Sequence, residues 1–288
     1  MRLLPHYLTV APEVIGSVWR HPANRGRRLR QIGRALTFQW RGRVSGRPSS
    51  VPLGRKSRVL AYLDDTSSRK AAYANPPDHP EMCVWMNYLG PGRLFMDVGA
   101  DVGLYTILAL DAGAEVIAVE PRIEATDRIR ENLALNGYSA TIAAVALSHQ
   151  PGEGRLAGED STKQHLVIDR PVDLPTRTVA VTTLDDLLGG RTAHGVKIDV
   201  EGAERLVLLG AARALAEGRI GLLQLEWNLQ SRIVFGEGRE PVEELLRSYG
   251  YGLFRPDLSG QLNPVSAPPP GRDVFAMRVT GQPARHCG

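Results

Sequence analysis

The sequence predicts an α/β protein built on a doubly wound, mostly parallel β-sheet, and three observations support this prediction. First, an apolar run at 94–98 passes through a glycine-containing turn into apolar residues on helical spacing at 104–110. Second, another apolar run at 114–119 follows directly and ends in an acidic residue. Third, a further helical stripe separates this run from an apolar segment at 140–148. Strands and helices that alternate in this way form a parallel sheet with right-handed crossovers.

Seven strands are expected in the sheet, because seven short apolar runs are bounded by polar residues, glycine or proline. Their predicted ranges are 94–98, 114–119, 140–148, 196–200, 220–225, 252–255 and 274–279. The main helices are predicted where apolar residues follow helical spacing, at 104–110, 123–136, 204–216 and 241–249. A proline-rich segment at 263–270 suits a hairpin-like return, so the last strand is expected to be antiparallel.

The chain of 288 residues is long enough for one large domain with an appendage. We expect a basic N-terminal extension at 1–80, made of a helical segment and short strands, and a main domain at 81–288. Within the main domain, the alternation of strands and helices is interrupted at about 149–195. A stretch of that length with only a short helical turn, capped by Thr182 or Thr183, predicts a functional insert.

The N-terminal extension carries most of the positive charge. Between Val14 and Leu63 there are twelve Lys or Arg and no Asp or Glu, whereas the whole chain has a net charge of only +4. Such a segment attracts phosphate, acidic protein or anionic lipid. Residues 20–58 are therefore a candidate contact surface for a peripheral membrane site or an acidic carrier protein. Two other interpretations stay open: a solvated arm that pairs with the acidic main domain, and a nucleic-acid surface in which Trp19 and Trp40 stack on bases.

Cysteine usage and the N-terminus indicate the compartment. Cys83 and Cys287 lie far apart, so there is no disulfide framework and a reducing environment is expected. Pro5 and Pro12 interrupt the apolar residues at the start, which argues against a secretory leader. No run approaches the ~20 apolar residues of a membrane span. The sequence thus predicts a cytoplasmic protein, and without clustered ligand residues we expect no metal ion.

Two acidic residues in the glycine turn distinguish between two cofactors. A dinucleotide turn has the spacing G-x-G-x-x-G, which lets a pyrophosphate sit on the helix N-terminus. Here Asp97, Gly99 and Gly103 give D-x-G-x-x-x-G, and Asp101 adds a second carboxylate. Carboxylates would repel a pyrophosphate, but they suit the ammonium and sulfonium groups of S-adenosylmethionine (SAM). Because Glu120 at the tip of the second strand can accept both ribose hydroxyls, the sequence predicts a SAM site.

The residues expected to contact SAM come from three segments of the chain: the glycine turn with the helix after it, the second strand end and the third strand. Glu81 is added because the loop before the first strand could lie over the pocket, and Ala144 and Val145 are expected near the adenine. The full set is Glu81, Asp97, Gly99, Ala100, Asp101, Gly103, Tyr105, Thr106, Glu120, Pro121, Ala144 and Val145.

A second polar stretch supplies the candidate catalytic residues. Lys197, Asp199 and Glu201 alternate with Val and Ile in a predicted interior strand, where charged residues are rare unless paired. A strand that runs out into the ligand crevice explains them, and a structural ion-pair network is the alternative. Asp199 and Glu201 are the first candidates to accept a proton, Glu226 follows, and Lys197 is expected to tune the acids. His165 in the insert is the last candidate.

Four motifs, in order and spacing, resemble FkbM-type methyltransferases over about residues 80–280. They are D-V-G-A-D-V-G-L-Y-T at 97–106, V-E-P at 119–121, T-L-D-D at 183–186 and K-I-D-V-E-G-A-E at 197–204. The family usually has Asn where this chain has Asp101, so the cofactor affinity is expected to depend more on salt. The resemblance implies a seven-stranded, Rossmann-like class I methyltransferase sheet, SAM as methyl donor and a hydroxyl acceptor on a sugar, polyketide or glycolipid.

The expected function is therefore O-methylation of a small molecule, in natural-product biosynthesis or on a sugar or glycolipid. The alternative is N-methylation of a peptide or nucleic acid bound through the basic N-terminal arm. A nucleic-acid acceptor is disfavoured because Asn75-Pro-Pro is followed by Asp78 where amino-group methyltransferases carry an aromatic residue. The sequence leaves the identity of the acceptor and the oligomeric state open.

Overall fold

The computed structural model describes residues 3–158, 165–167 and 175–279. The helices are α1 (Leu3–Arg20), α2 (Arg28–Ser45), α3 (Thr66–Tyr73), α4 (Glu81–Tyr88), α5 (Leu104–Asp111), α6 (Ile123–Asn136), α7 (Leu184–Leu188), α8 (Glu204–Leu209), α9 (Ala212–Ala216), α10 (Gln230–Phe235) and α11 (Glu240–Ser248). The strands are β1 (Ser49–Leu53), β2 (Ser57–Ala61), β3 (Leu94–Val98), β4 (Glu115–Val119), β5 (Thr141–Ala143), β6 (Ala146–Leu147), β7 (Gly152–Ala157), β8 (His165–Val167), β9 (Thr176–Thr182), β10 (Ala193–Ile198), β11 (Ile220–Leu225), β12 (Tyr251–Pro256), β13 (Leu262–Pro264) and β14 (Val274–Arg278).

The central sheet has eight strands in the order β13-β12-β14-β11-β10-β3-β4-β5. The five strands from β11 to β5 are parallel to their neighbours, and β14 lies antiparallel between β11 and β12. This confirms the doubly wound, mostly parallel α/β sheet and its antiparallel last strand. The short strand β13 is an addition to the seven predicted strands, and it pairs with β12 at the sheet edge.

The insert folds into a second sheet of four strands, in the order β6-β9-β7-β8. The predicted single strand at 140–148 is wrong, because only β5 belongs to the central sheet and β6 turns away to pair with β9. The insert therefore begins in the structure at β6, and the central sheet resumes at β10. The edge strand of the small sheet, β6, therefore follows directly in the chain from β5, the edge strand of the central sheet.

Two helical predictions differ from the structure for identifiable reasons. The predicted helix at 204–216 is two helices, α8 and α9, with Gly210 between them. A Cβ atom on Gly210 would lie 2.0 Å from the Ser148 carbonyl oxygen, so the chain bends there where only glycine allows the close approach. The short helix α10 follows β11 and was absent from the sequence prediction.

The N-terminal hairpin β1–β2 packs against the main domain rather than standing apart from it. Leu53 and Val59 of the hairpin share one buried apolar cluster with Ile107 and Leu108 of α5. The Asp111 carboxylate at the end of α5 accepts hydrogen bonds from the backbone N–H groups of residues 55 and 56, at 2.7 and 3.1 Å, and from the hydroxyl of residue 57 at 2.6 Å. The extension is thus part of the main core from the hairpin onward.

A second apolar cluster lies on the opposite face of the central sheet, under α8, α9 and α11. A large sheet covered on both faces is what near-continuous apolar strands such as β3 require. None of the helices formed by the described residues is long and apolar enough to cross a membrane.

Candidate functional site

The glycine turn after β3 is pressed against the end of β10. Gly99 has φ +77°, and a Cβ atom there would lie 1.8 Å from the carbonyl oxygen of Asp199. The backbone N–H groups of Gly99 and Ala100 both donate to the Val119 carbonyl oxygen, at 2.9 and 3.1 Å. The turn is therefore tied to β4 on one side and in van der Waals contact with β10 on the other, which brings three strand ends together.

Two pocket residues other than glycine have left-handed backbone conformations. Asp101 has φ +50° and Glu201 has φ +52°, a region in which residues other than glycine are uncommon. Both line the same pocket at the carboxyl ends of the strands. Strained backbone of this kind costs roughly 1–3 kcal/mol per residue and clusters at functional sites.

Both carboxylate oxygens of Glu120 accept hydrogen bonds, one from the glycine turn and one from the residue that follows Pro121. Its side chain is 2 % exposed, and it accepts hydrogen bonds from the backbone N–H groups of Asp101 at 2.8 Å and Arg122 at 3.0 Å. The Arg122 guanidinium bonds the same carboxylate through Nε at 2.8 Å and reaches Asp101 Oδ1 at 2.9 Å. Burial alone would lower the pKa of Arg122, but the bonds and charges of Glu120 and Asp101 raise it. The extra carboxylate of Asp101 is thus neutralised inside the chain.

An open pocket with about 790 Å³ of empty space lies over these strand ends. This figure includes solvent at the mouth of the pocket, and the cavity volume by itself is about 130 Å³. Its walls are apolar on the side of the insert and polar on the side of the glycine turn. The lining residues are Ser67, Val98, Gly99, Asp101, Val119, Glu120, Pro121, Arg122, Val145, Ala146, Leu147, Leu156, Leu166, Asp199, Val200, Glu201 and Ala203.

Lys197 and Asp199 form an ion pair beside this pocket. The Lys197 ammonium is 2.8 Å from Asp199 Oδ2 and lies 4.7 Å from the centre of the Tyr105 ring. Burial would raise the pKa of Asp199, but the Lys197 charge and its hydrogen bond hold it below the usual range. Asp199 is therefore an ionised carboxylate at neutral pH, with Lys197 as its paired cation.

Asp97 lies deeper, beneath the ion pair. Its Oδ2 accepts a hydrogen bond from the Thr106 hydroxyl at 2.7 Å. Its other oxygen, Oδ1, is buried and has no hydrogen-bond partner among the described residues. Burial raises the pKa of Asp97, with the Lys197 charge opposing it. An orphaned carboxylate oxygen at the end of β3 is an acceptor that a ligand with a donor group can satisfy.

Two further carboxyl groups lie close to Asp199. Burial, followed by the charge of Asp199, raises the pKa of Glu226 to about 9. Burial and the same Asp199 charge raise the pKa of Asp273 to about 7, although Asp273 accepts a 2.6 Å hydrogen bond from Gln224. These three carboxyl groups therefore do not all ionise together: Lys197 stabilises the charge of Asp199, and that charge opposes ionisation of Glu226 and Asp273.

A buried ion pair positions the turn that carries Glu201. Glu204 is fully buried, and its Oε2 is 2.6 Å from the Arg239 guanidinium. Its Oε1 accepts a hydrogen bond from the Gly202 N–H at 3.1 Å. Arg239 donates in turn to the Asn228 carbonyl oxygen at 2.8 Å, which joins the ends of β10 and β11.

The predicted site residues divide into those that line the pocket and those behind it. Gly99, Asp101, Glu120, Pro121, Val145, Asp199 and Glu201 line the pocket. The others named for the cofactor are not among its lining residues: Asp97, Ala100, Gly103, Tyr105 and Thr106 lie under the turn, Glu81 begins α4, and Ala144 is solvent-exposed.

The three polar residues predicted on one face of a strand are arranged differently. Regular strand structure ends at Ile198, so Asp199 and Glu201 lie in the following turn and only Lys197 is within β10. Glu226 follows β11 at the neighbouring strand end. The backbone of His165 lies in β8 of the insert, paired with Ala157, and its side chain is outside the described part of the structure.

Several site residues were missed at the sequence level. Arg122 follows Glu120 by two residues in the sequence. This short separation from the predicted ribose carboxylate could have indicated that Arg122 belongs to the site. Asp273, Gln224 and Ser67 come from distant segments, and nothing in their local sequence marks them. The described residues contain no group of three or more His, Cys, Asp or Glu that could hold a metal ion.

The fold and site define a class I, Rossmann-like α/β enzyme with its ligand pocket at the carboxyl ends of the strands. A family model described as "Methyltransferase FkbM domain" matches residues 97–253. The chain belongs to this methyltransferase family, whose members transfer a methyl group from SAM. Among curated proteins, none matches the chain significantly.

Solved structures of similar fold are methyltransferases of low sequence identity. The precorrin-6y C5,15-methyltransferase of Geobacter metallireducens GS-15 is 14 % identical, with TM-score 0.39 over 68 % of this chain and 88 % of its own. The magnesium protoporphyrin IX methyltransferase of Synechocystis PCC 6803, with bound SAM, is 16 % identical, with TM-score 0.39 over 68 % and 76 %. The ribosomal protein L11 methylase of Lactobacillus delbrueckii subsp. bulgaricus is 14 % identical, with TM-score 0.38 over 69 % and 76 %.

The residues at the strand ends fit SAM chemically. The methionine part of SAM carries an ammonium and a sulfonium, and the carboxyl groups here exceed the buried positive charge. The orphaned Asp97 Oδ1 needs a donor, and the apolar wall formed by Val145, Leu156 and Leu166 suits an adenine ring. Glu120 also lines the pocket, and it is the carboxylate that the sequence predicts for the ribose.

Proposed function

We propose that this methyltransferase transfers the methyl group of SAM to a hydroxyl group of a small molecule, sugar or glycolipid. The observation that carries the proposal is the ionised Asp199 carboxylate, which lines the pocket while Lys197 keeps it charged. A hydroxyl acceptor must lose its proton during methyl transfer, so it needs a base at the site of reaction. We therefore assign the role of that base to Asp199.

The low pKa of Asp199 is compatible with this role. When bound, SAM supplies an electrophilic methyl group whose transfer is an in-line displacement. As the new carbon–oxygen bond forms, the hydroxyl proton becomes strongly acidic, so a carboxylate of low pKa can accept it late in the reaction. The main contribution of the protein is then to hold the acceptor oxygen in line and at close distance.

Glu226 is assigned a supporting part. With a pKa of about 9 it is protonated at neutral pH, and its hydrogen bond to Asp199 helps to lower the pKa of that residue. A neutral Glu226 can therefore share its proton with Asp199 without adding negative charge to the pocket. Glu201 lines the pocket from the same turn as Asp199 and is the second candidate for contact with the acceptor.

The test uses methyl-labelled SAM, the full-length protein and a fractionated extract of the source cells. We expect the label in a small hydroxylated metabolite or a glycolipid. With the labelled acceptor in hand, Asp199→Asn should lower kcat by about 100-fold or more, the usual contribution of a positioned base. Asp127→Asn on the exposed surface of α6 is the matched control and should leave kcat unchanged.

Other outcomes separate the alternatives. Label in a peptide or nucleic acid would overturn the O-methylation proposal in favour of N-methylation through the basic arm. A labelled hydroxyl product with an unchanged kcat in Asp199→Asn would keep the reaction but remove Asp199 as the base.

A further inference from the structure

The outward face of α2 carries an exposed apolar stripe, here called the α2 stripe, formed by Leu29, Gly33, Trp40 and Val44. These positions recur at helical spacing and lie on one side of the helix. Leu29 is 79 % exposed, and Trp40 and Val44 are each 57 % exposed. The inward face is different, because Ala35 and Phe38 are buried against α1 and the hairpin.

Arginines flank the α2 stripe without any acidic neighbour in sequence. Arg30 and Arg41 are exposed, one along each half of the helix. By contrast, Arg34 and Arg43 are used within the fold: Arg34 donates to the carbonyl oxygens of residues 71 and 72, and Arg43 donates to that of Gln39. The exposed charges of Arg30 and Arg41 thus lie beside the apolar residues, and no Asp or Glu occurs between Val14 and Leu63.

We propose that the α2 stripe docks the enzyme on the surface of a membrane that contains anionic lipids. A helix with Trp and aliphatic residues on one side and arginines beside them is the arrangement that lies in the interface plane of a bilayer. The arginines then contact the phosphates of the headgroups, and the indole of Trp40 sits at headgroup depth. The charge complementarity singles out an anionic lipid surface as the occupant.

Two other occupants fit this face less well. In a symmetric dimer through α2, Arg30 and Arg41 of one copy would lie close to the same two arginines of the other copy, and like charges would oppose contact. A nucleic acid would need free aromatic faces for base stacking. Trp40 offers a single such face, since the nearby Trp19 ring already carries the Arg28 guanidinium at 4.8 Å, and the aliphatic Leu29 offers nothing to a phosphate backbone.

The first experiment measures binding of the full chain to vesicles. One set contains phosphatidylcholine alone, and the other contains phosphatidylcholine with phosphatidylglycerol. We expect sedimentation with the anionic vesicles only, and less of it as the salt concentration rises. Neutralising Arg30 and Arg41 to Gln should weaken binding by about 25-fold, since one arginine near an anionic surface is worth about fivefold in affinity. Arg130→Gln and Arg247→Gln, on the exposed faces of α6 and α11, are the matched controls.

The second experiment isolates the apolar contribution. Trp40→Ser together with Val44→Ser should weaken binding by about tenfold or more, while Ile233→Ser, at 76 % exposure on α10, should not. Of the four tryptophans, Trp85 and Trp227 are each 1 % exposed. Brominated phosphatidylcholine in the anionic vesicles should therefore quench the fluorescence of the wild type more than that of Trp40→Phe.

Three results would overturn the proposal. They are equal binding to neutral vesicles, unchanged binding of the Trp40/Val44 double variant, and a preference for a polyanion such as poly(U) that depends on the arginines alone. SAM affinity, measured on every variant, shows that each one is folded, because none of these residues lines the SAM pocket. The proposal is independent of the methyl acceptor: an enzyme that methylates a water-soluble metabolite can still dock on a membrane.

Discussion

Glu120 is the residue on which the nucleoside end of the pocket depends. Its carboxylate orients the glycine turn through the Asp101 N–H and also accepts hydrogen bonds from Arg122, so a ribose hydroxyl bound here would replace part of the Arg122 contact. A hydrogen bond to a charged group contributes about 1.5–3 kcal/mol, so a variant that cannot bond the two ribose hydroxyls should lose much of the free energy of SAM binding.

We expect Glu120→Ala to raise the Kd for SAM by about 100-fold, measured by calorimetry. Glu120→Gln, which keeps the shape and one acceptor, should raise it by about tenfold. Glu124→Ala is the control: it lies on the exposed surface of α6 with a 67 % exposed side chain and should leave the Kd unchanged. A wild-type Kd in Glu120→Ala would place the ribose elsewhere.

Glu226 makes the stability of the protein depend on pH. Its pKa of about 9 in the folded state lies above the usual 4.5, so the folded chain holds a proton that the unfolded chain loses. Rising pH therefore favours the unfolded state, and the stability contribution declines from about pH 4.5 to about pH 9.

In Glu226→Gln this decline should disappear. The free energy of unfolding, taken from urea titrations between pH 5.5 and 8.5, should fall less steeply with pH than in the wild type, by up to about 1.4 kcal/mol per pH unit. Part of the slope below pH 7 remains in the variant because the pKa of Asp273 is about 7. Parallel curves for the two proteins would show that Glu226 ionises normally.

At the scale of elements, the site depends on how closely the turn after β3 approaches the end of β10. Gly99 permits this approach because it has no Cβ atom, and it also allows the left-handed backbone. The ion pair between Lys197 and Asp199 then lies directly beside the glycine turn that lines the pocket.

Gly99→Ala should destabilise the protein by about 3 kcal/mol or more and abolish SAM binding, because the new methyl group overlaps the Asp199 carbonyl oxygen. Gly137→Ala isolates the backbone effect, since Gly137 has φ +65° and nothing within 4 Å of the added carbon. We expect it to cost only about 1 kcal/mol and to leave SAM binding intact. Similar losses of stability in Gly99→Ala and Gly137→Ala would mean that backbone strain, and not the contact with the Asp199 carbonyl oxygen, causes the destabilisation.

At the scale of the whole molecule, the hairpin β1–β2 and the main domain share a core. Leu53 and Val59 cover Ile107 and Leu108, and Asp111 binds the turn of the hairpin. A fragment that begins at residue 81 would expose this part of the core and leave the Asp111 carboxylate without its buried donors.

We expect the 81–288 fragment to lack a cooperative unfolding transition by calorimetry, whereas the full chain should unfold in one main transition. In the full chain, Asp111→Ala should lower the free energy of unfolding by about 3 kcal/mol, because buried N–H groups of the hairpin lose their acceptor. Asp127→Ala, on the exposed side of α6, should change it by less than about 0.5 kcal/mol. A soluble, cooperatively folding fragment would show that the extension is an independent unit.

The sequence was sufficient to predict those elements that are determined by residues adjacent in the chain. The apolar run of β3, the glycine turn and the carboxylate after β4 each follow from neighbouring residues, so the fold class, most strands and the carboxylates that line the pocket were predictable. The prediction of the third strand was wrong because the apolar pattern at 140–148 does not distinguish one strand in one sheet from two strands in two sheets.

The sequence by itself determined the doubly wound sheet, the methyltransferase motifs and the acidic residues at the strand ends, because periodicity and spacing are carried by residues close together in the chain. Only the tertiary structure decided that Arg122 neutralises Asp101, that Asp273 joins Asp199 and Glu226, and that the hairpin belongs to the main core. These features depend on contacts between residues far apart in sequence, and the charge state of a buried carboxyl group depends on which charges the fold brings to it.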